Sequence, residues 1–108
     1  MPLKSFLRSN NKIVVITGAG VSTGSGIPDY RDEQGAWKHS SPMDYREFVS
    51  SHIARCRYWS RSAIGWQRFL QAKPNKAHFA LARLESLKKI STVITQNVDG
   101  LHHRAGSK

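Results

Sequence analysis

Two polar stretches of this chain hold residue types that could do chemistry. The first runs from Ile16 to Arg31 as ITGAGVSTGSGIPDYR, placing four glycines and four Ser or Thr hydroxyls behind an apolar run. A strand that ends in Gly18, Ala19 and Gly20 lets backbone N–H groups approach a phosphate with no side chain between them. As a plain dinucleotide fingerprint the loop is incomplete: Thr23 stands at the third glycine site, and no acid follows about 20 residues after Gly18. Taken alone, it reads equally as a tight strand-to-helix turn without a ligand. The second stretch, TQNVDGLHH from Thr95 to His103, sets Gln96, Asn97 and Asp99 just after a β-branched run. α/β proteins place ligands at the carboxyl ends of parallel strands, although an ordinary polar turn has the same composition. A smaller constellation, RYWSR, spaces Tyr58 and Arg61 three residues apart, on one helical face. A guanidinium and a phenol so placed could hold a carboxylate; a solvated Arg beside a half-buried Tyr is the plainer alternative.

These residues need elements to position them. KIVVIT (Lys12 to Thr17) and ISTVIT (Ile90 to Thr95) are short β-branched runs that predict buried parallel strands. The basic start, MPLKSFLRSNNK, reads as a first helix. A helix is predicted over Lys76 to Lys89, with Asn75 as its N-cap and Ala77, Ala80, Leu81, Leu84 and Leu87 as its apolar stripe. Another spans Ala54 to Leu70, where Cys56, Trp59, Ala63, Trp66 and Leu70 recur at steps of three and four and predict a buried face, and Pro74 closes the segment. The order strand, glycine loop, helices, strand gives an α/β class: a partial Rossmann-like parallel sheet with a helical insertion. The expected divisions are residues 1–35 (first strand and glycine loop), 36–74 (helical insertion) and 75–108 (helix, strand and second polar motif).

Composition bounds the function. A chain of 108 residues makes one modest domain and excludes a large enzyme core. At 39% hydrophobic and 22% charged, with no apolar run near the roughly 18 residues of a membrane span, it is expected to be soluble and globular, with no membrane partner. Cys56 is the only cysteine, so no internal disulfide and no CxxC zinc site exists within the chain, and a reducing, cytoplasmic setting fits. The formal charge of +10 is spread from Lys4 to Lys108 without a dense tract, which leaves a basic nucleic-acid-binding domain as an alternative but not the main expectation. His39, His52 and His78 lack metal-ligand spacing and are expected at the surface or at helix ends; no metal ligand is assigned.

Read at full length, GAGVSTGSGIPDYR resembles the first signature of the sirtuins, the NAD-dependent protein deacylases, and TQNVDGLH with the AGS at Ala105 to Ser107 resembles the second. The two stand in the family's order and separation, over nearly the whole chain from Lys12 to Lys108. The resemblance implies a sirtuin large domain carrying a helical small-domain insertion, NAD as cofactor and acyl-lysine proteins as substrates. By it, Gly18, Ala19, Gly20, Ser22 and Thr23 face the NAD phosphates and adjoining ribose. Ile27, Pro28 and Asp29 border the nicotinamide pocket with Asp99, whose carboxylate accepts a bond from the carboxamide. Tyr30, where phenylalanine is commoner, screens the ribose from water, and Arg31 supports the loop. Gln96 and Asn97 approach the nicotinamide ribose, Asn97 helping to position the reacting groups.

The Tyr58 and Arg61 pair is similar to the acyl-recognition pair of class II sirtuins, and RYWSR with the following GW resembles most the branch associated with lipoamidase and ADP-ribosyl transfer. The family's general base lies in an HG motif after AGS, so neither His102 nor His103 takes that role, and its zinc ligands are likewise expected beyond Lys108. The expectation is therefore the amino-terminal part of a bacterial-type class II sirtuin, lacking base and zinc. A truncated, non-catalytic NAD-binding module is the alternative.

Overall fold

The computed structural model describes residues 2–29, 32–38 and 41–108. The chain divides into two units, Met1–Asp29 with Ala72–Lys108, and Tyr30–Gln71.

The first unit contains α1 (Leu3–Ser9), β1 (Ile13–Thr17), a 3-10 helix (Ala19–Ser25), α4 (Lys76–Ser86), β2 (Ile90–Thr95) and α5 (Leu101–Arg104). The two strands pair in parallel, Ile13 opposite Ile90 and Thr17 opposite Thr95, with a register irregularity between Ile13 and Val14. Parallel strands need a long crossover, here the second unit and α4. The buried apolar residues here are Ile13, Ile27, Ala72, Ile90 and Leu101. The strands are covered on one side only: Val14, Ile16 and Ile94 are at least half exposed. The expected burial of the strands therefore holds at Ile13 and Ile90 but not at Val14, Ile16 and Ile94.

Helix α4 begins where Asn75 predicts. Asn75 Oδ1 accepts from the Ala77 N–H at 2.8 Å, and its Nδ2 donates to Val21 O and Ser25 Oγ, tying the helix start to the glycine loop. Gly24 faces this asparagine, and a Cβ there would lie 3.4 Å from Asn75 Cγ. The helix ends at Ser86, three residues before the predicted Lys89. Lys88 takes φ +59°, while Lys88 N–H donates to Glu85 O and Lys89 N–H to Leu84 O. This is a Schellman closure built on lysine, so the usual glycine signal is missing from the sequence. The covered face of α4 also differs from the predicted stripe: His78 is fully buried, while Ala77, Ala80 and Leu87 are exposed.

The second unit contains α2 (Tyr45–Ser50) and α3 (His52–Gln71). Asp44 caps α2, its Oδ1 accepting from Glu47 N–H at 2.8 Å. The predicted buried stripe of α3 is exposed: Trp59, Trp66 and Leu70 are 62%, 51% and 61% accessible, and Cys56 is exposed. Within the unit, α2 packs on α3, and Ala54 at its amino-terminal turn is the residue of α3 that becomes buried. A six-residue helix is too short to cover a stripe about 25 Å long. Among the described residues no helix is long and apolar enough to cross a membrane.

Candidate functional site

The site is built at the carboxyl ends of β1 and β2. Gly18 leaves β1 in extended backbone and the chain turns at once into the 3-10 helix. Gly26 closes that turn at φ +85°, where its N–H returns to Thr23 O and Ile27 N–H to Ser22 O. Such a left-handed position favours glycine. The closure buries Ser22 and Ile27 and fixes the loop.

Ser22 is the hub. Its hydroxyl donates to Asp99 Oδ2 at 2.6 Å, a short charge-assisted bond. His78 Nε2 lies 3.3 Å from the same oxygen, and Asn97 Nδ2 donates to it at 3.4 Å. The His78 tautomer follows from its other partner. Its Nδ1 accepts the Asn75 N–H at 3.1 Å, so the proton sits on Nε2 and points to Ser22. A directed chain results, His78 Nε2–H to Ser22 Oγ–H to Asp99. Burial pushes His78 below its ordinary value of 6.5, His102 lowers it further, and the Asp99 charge opposes both. The imidazole is therefore held neutral, in keeping with the N–H it accepts.

Asp99 uses both oxygens, since Oδ1 accepts from Leu101 N–H at 3.0 Å and starts α5. Gly100 between them takes φ +68°, the left-handed region. Asn97 Nδ2 also donates to Gly18 O at 2.8 Å, so the two polar stretches of the sequence are joined directly. Beneath them Thr17 donates to Thr95 Oγ1, and His102 Nε2 meets Thr17 Oγ1, each at 2.8 Å. The His102 ring packs edge-on to His78 with centroids 5.0 Å apart, and its Nδ1 is buried without a partner.

The structure thus brings Gly18, Ser22, Asn97 and Asp99 into one hydrogen-bonded group. Thr23 turns its hydroxyl back to Gly20 O within the loop. The Ala19 and Gly20 amides, at the open start of the turn, donate to no described group, and a Cβ at Gly18 or Gly20 would meet nothing within 4 Å. Gln96 is exposed, its backbone N–H held by Thr17 O. Ile27 is buried, Pro28 exposed and Asp29 partly covered. Tyr30, Arg31 and His39 lie outside the described residues.

The model of the Sir2 family matches residues 18–108. The chain belongs to the Sir2 family. A Bordetella pertussis NAD-dependent protein deacetylase is 52% identical over 106 residues, covering 98% of this chain and 39% of that protein. The Bradyrhizobium diazoefficiens NAD-dependent protein deacetylase 2 has the same identity and coverage. A solved Sir2–p53 peptide–NAD+ complex superposes over 100% of this chain and 43% of its own, at TM-score 0.79 and 43% identity. A structure of Sir2 bound to acetylated peptide gives 0.75 at 43% identity. The fold is that of a Sir2 large-domain sheet with helical insertion, and the chain spans about 39% of the length of these curated relatives.

Within this Sir2 chain, Tyr58 and Arg61 belong to the second unit. Tyr58 stacks edge-on against Phe48 and Trp59 and lines a cavity with Met43, Asp44 and Tyr45, whereas Arg61 is exposed and does not line it. The two are not joined by a hydrogen bond. Among the described residues no group of three His, Cys, Asp or Glu side chains could hold a metal. His78 stands at a helix end, one of the two expected placements, but not at the surface: it is fully buried at the third helical position of α4, where its ring completes a capping box with Asn75. The four-residue spacing in NKAH after Pro74 was the available signal, with histidine in the place usually held by Glu or Gln.

Proposed function

We propose that this chain supplies the NAD-binding loop and the nicotinamide side of an NAD-dependent protein lysine deacylase. The observation carrying this reading is the hydrogen-bonded group of buried Ser22 and His78 with partly covered Asn97 and Asp99, beside Ala19 and Gly20 amides that donate to no described group. The donor set fits the cofactor: amides with open space in front of them suit a pyrophosphate, and the ionised Asp99 keeps lone pairs for a carboxamide N–H beyond its two existing bonds. When bound, NAD supplies the electrophilic ribose carbon and the nicotinamide leaving group.

The chain's own residues orient and stabilise. Ala19 and Gly20 hold the phosphates through backbone N–H groups, which need no reorganisation as charge shifts. Asn97, anchored through Nδ2 to Gly18 and Ser22, leaves its Oδ1 as an acceptor toward the ribose. Exposed Gln96 is free to bind the same sugar. Ile27 contributes an apolar wall that excludes water from the nicotinamide. Neutral His78 fixes the Ser22 hydroxyl so that its proton is committed to Asp99, and the carboxylate cannot swing away from its position.

By the same reading Tyr58 and Arg61 contact the acyl group, with class II character and membership of the lipoamidase-related branch. Acyl-lysine proteins are the partners and the cytoplasm is the compartment.

The test is nicotinamide release and O-acyl-ADP-ribose formation from NAD and an acyl-lysine peptide by a Sir2 enzyme containing these 108 residues, with no product when NAD is omitted. Failure of both products overturns the reading. Residues 1–108 alone are expected to bind NAD weakly and to show no turnover, because absence of a positioned base removes a factor of about 10² to 10⁴ in rate. Turnover by 1–108 together with cooperative melting would refute the assignment of the base to an HG motif outside them.

A further inference from the structure

Beneath the Ser22 group lies a second chain of hydrogen bonds, and His102 heads it. This imidazole is 5% exposed. Thr17 Oγ1 donates its single proton to Thr95 Oγ1, so the ring Nε2, 2.8 Å from Thr17 Oγ1, carries a proton and donates it there. The reverse order would place the ring proton on Nδ1, which is buried with no acceptor. Thr95 Oγ1 in turn accepts the N–H of Asn97, two residues on, at 3.1 Å. The chain runs His102 Nε2–H to Thr17 Oγ1–H to Thr95 Oγ1, with the Asn97 amide bound to that last oxygen. It repeats the order of His78, Ser22 and Asp99, and the two imidazoles that head the chains stand edge-on, 5.0 Å apart.

A threonine hydroxyl that accepts an N–H two residues ahead sets the direction in which the backbone leaves a strand. Thr95 is held in that rotamer by Thr17, its partner on the neighbouring strand. Packing supplies little of the hold. Gln96 is exposed, Val98 is 78% exposed, and Thr95 and Asn97 border a cavity of about 140 Å³. The backbone of Asn97 therefore depends on hydrogen bonds, just as its Nδ2 is tied to Gly18 O.

We propose that His102 is a positioning residue: acting through Thr17 and Thr95, it fixes the backbone of Asn97 and with it the Oδ1 acceptor directed to the cofactor ribose. The role rests on the deacylase reading above. Because the Ala19 and Gly20 amides hold the phosphates independently, the effect of His102 falls on the chemical step and not on cofactor affinity.

The experiment follows nicotinamide exchange in a Sir2 enzyme containing these 108 residues. His102→Leu keeps bulk but loses the donor, and Thr17→Val keeps shape but loses the hydroxyl. Each should lower kcat about tenfold while KM for NAD changes less than about twofold, since a displaced ribose is felt in rate. The double variant should lose no more than either single one, because both break one chain. His102→Gln, whose amide reaches the place of Nε2 and donates, should keep at least about half of kcat. Additive losses, a glutamine variant as slow as the leucine variant, or a loss carried by KM would overturn the proposal and leave His102 a packing residue. Thr17→Val decides alone where His102→Leu fails to fold.

Hydrogen exchange separates these outcomes from failure of the deacylase reading. In the same enzyme the Asn97 N–H should exchange at least about threefold faster after Thr17→Val or His102→Leu. The Gln96 N–H, which donates to Thr17 O, serves as the unchanged reference. A wild-type enzyme that exchanges no nicotinamide would overturn the deacylase reading, and the Asn97 N–H would still report on the chain. An Asn97 N–H indifferent to both substitutions would overturn the proposal whatever the activity.

Discussion

The two units use their polar residues differently. Around the ends of β1 and β2, side chains far apart in sequence converge: Ser22 meets His78, Asn97 and Asp99, and Thr17 meets Thr95 and His102. The side-chain bonds of α2 and α3 are local instead, Asp44 to Glu47, Arg55 to Phe48 and Val49, and Ser60 to Cys56. Local bonds hold a helix but do not fix its neighbours. Long-range bonds also fix neighbours, most strongly where they are covered from water, as at the buried Ser22–His78 contact and the partly buried Ser22–Asp99 bond. Precision for chemistry therefore resides in the first unit, and the second offers aromatic surface.

The largest effect expected from breaking this contrast is on stability. Leu101 is 0% exposed, and Leu101→Ala should destabilise the chain by about 2–5 kcal/mol through lost transfer energy and a residual cavity. Leu70, 61% exposed on α3, should lose under about 1 kcal/mol on the same change. Urea midpoints of the two variants decide: equal losses would mean that α3 is as tightly held as the strand ends. Next comes Asp99→Asn. The amide turns a donor toward Ser22, which already receives His78 Nε2–H and then has no acceptor for its own proton. In a Sir2 enzyme containing these residues, nicotinamide exchange should fall about 10²-fold, the scale of losing one preorganised electrostatic group. ADP-ribose affinity should change little. A parallel drop in both assays would reduce Asp99 to a structural residue.

What is legible in the sequence follows the same division. The strands and the start of α4 were legible from β-branched runs and an Asn cap, because both signals act over a few residues. Gly18, Asn97 and Asp99 were legible as chemistry from residue type and position after a strand. The joining of Asn97 to Gly18 was not, since 79 residues separate them and only the parallel register sets them side by side. The end of α4 was missed because Lys88 occupies a backbone position that normally announces itself as glycine. Periodicity correctly made α3 a helix but misjudged its burial, as a stripe at helical spacing reports amphipathicity and not the presence of a covering surface. His78 was missed as a buried residue because histidine is ambiguous between surface and core until its partners are seen.

That histidine gives a third, smaller test. His78→Gln keeps the reach needed for a capping box but loses the fixed proton on Ser22, and should lower stability by about 1 kcal/mol at pH 8. The pH dependence carries the sign. The folded pKa lies below the ordinary 6.5, so between those values the unfolded chain binds the proton more readily. Wild-type stability from this residue is complete above about pH 6.5 and declines as pH falls toward the folded value, with a slope of at most about 1.4 kcal/mol per pH unit. The glutamine variant lacks the slope, and the gap between the two unfolding curves should narrow on acidification. A gap independent of pH would show that His78 keeps its ordinary protonation in the fold.

The smallest effect is expected at Arg61, in the unit where side chains are least constrained. It is exposed and makes no polar contact with a described residue, so Arg61→Met should move the unfolding midpoint by less than about 0.5 kcal/mol. Its influence, if it pairs with an acyl carboxylate, is confined to substrates that carry one. A solvent-exposed ion pair contributes about 0.2–1 kcal/mol, so kcat/KM for a succinyl-lysine peptide should fall about two- to fivefold while acetyl-lysine is unaffected. A uniform loss for both peptides would make Arg61 a structural residue of α3. No loss for either would leave Tyr58 alone at that face, its ring already engaged by Phe48 and Trp59, and would separate acyl choice from the RYWSR segment altogether.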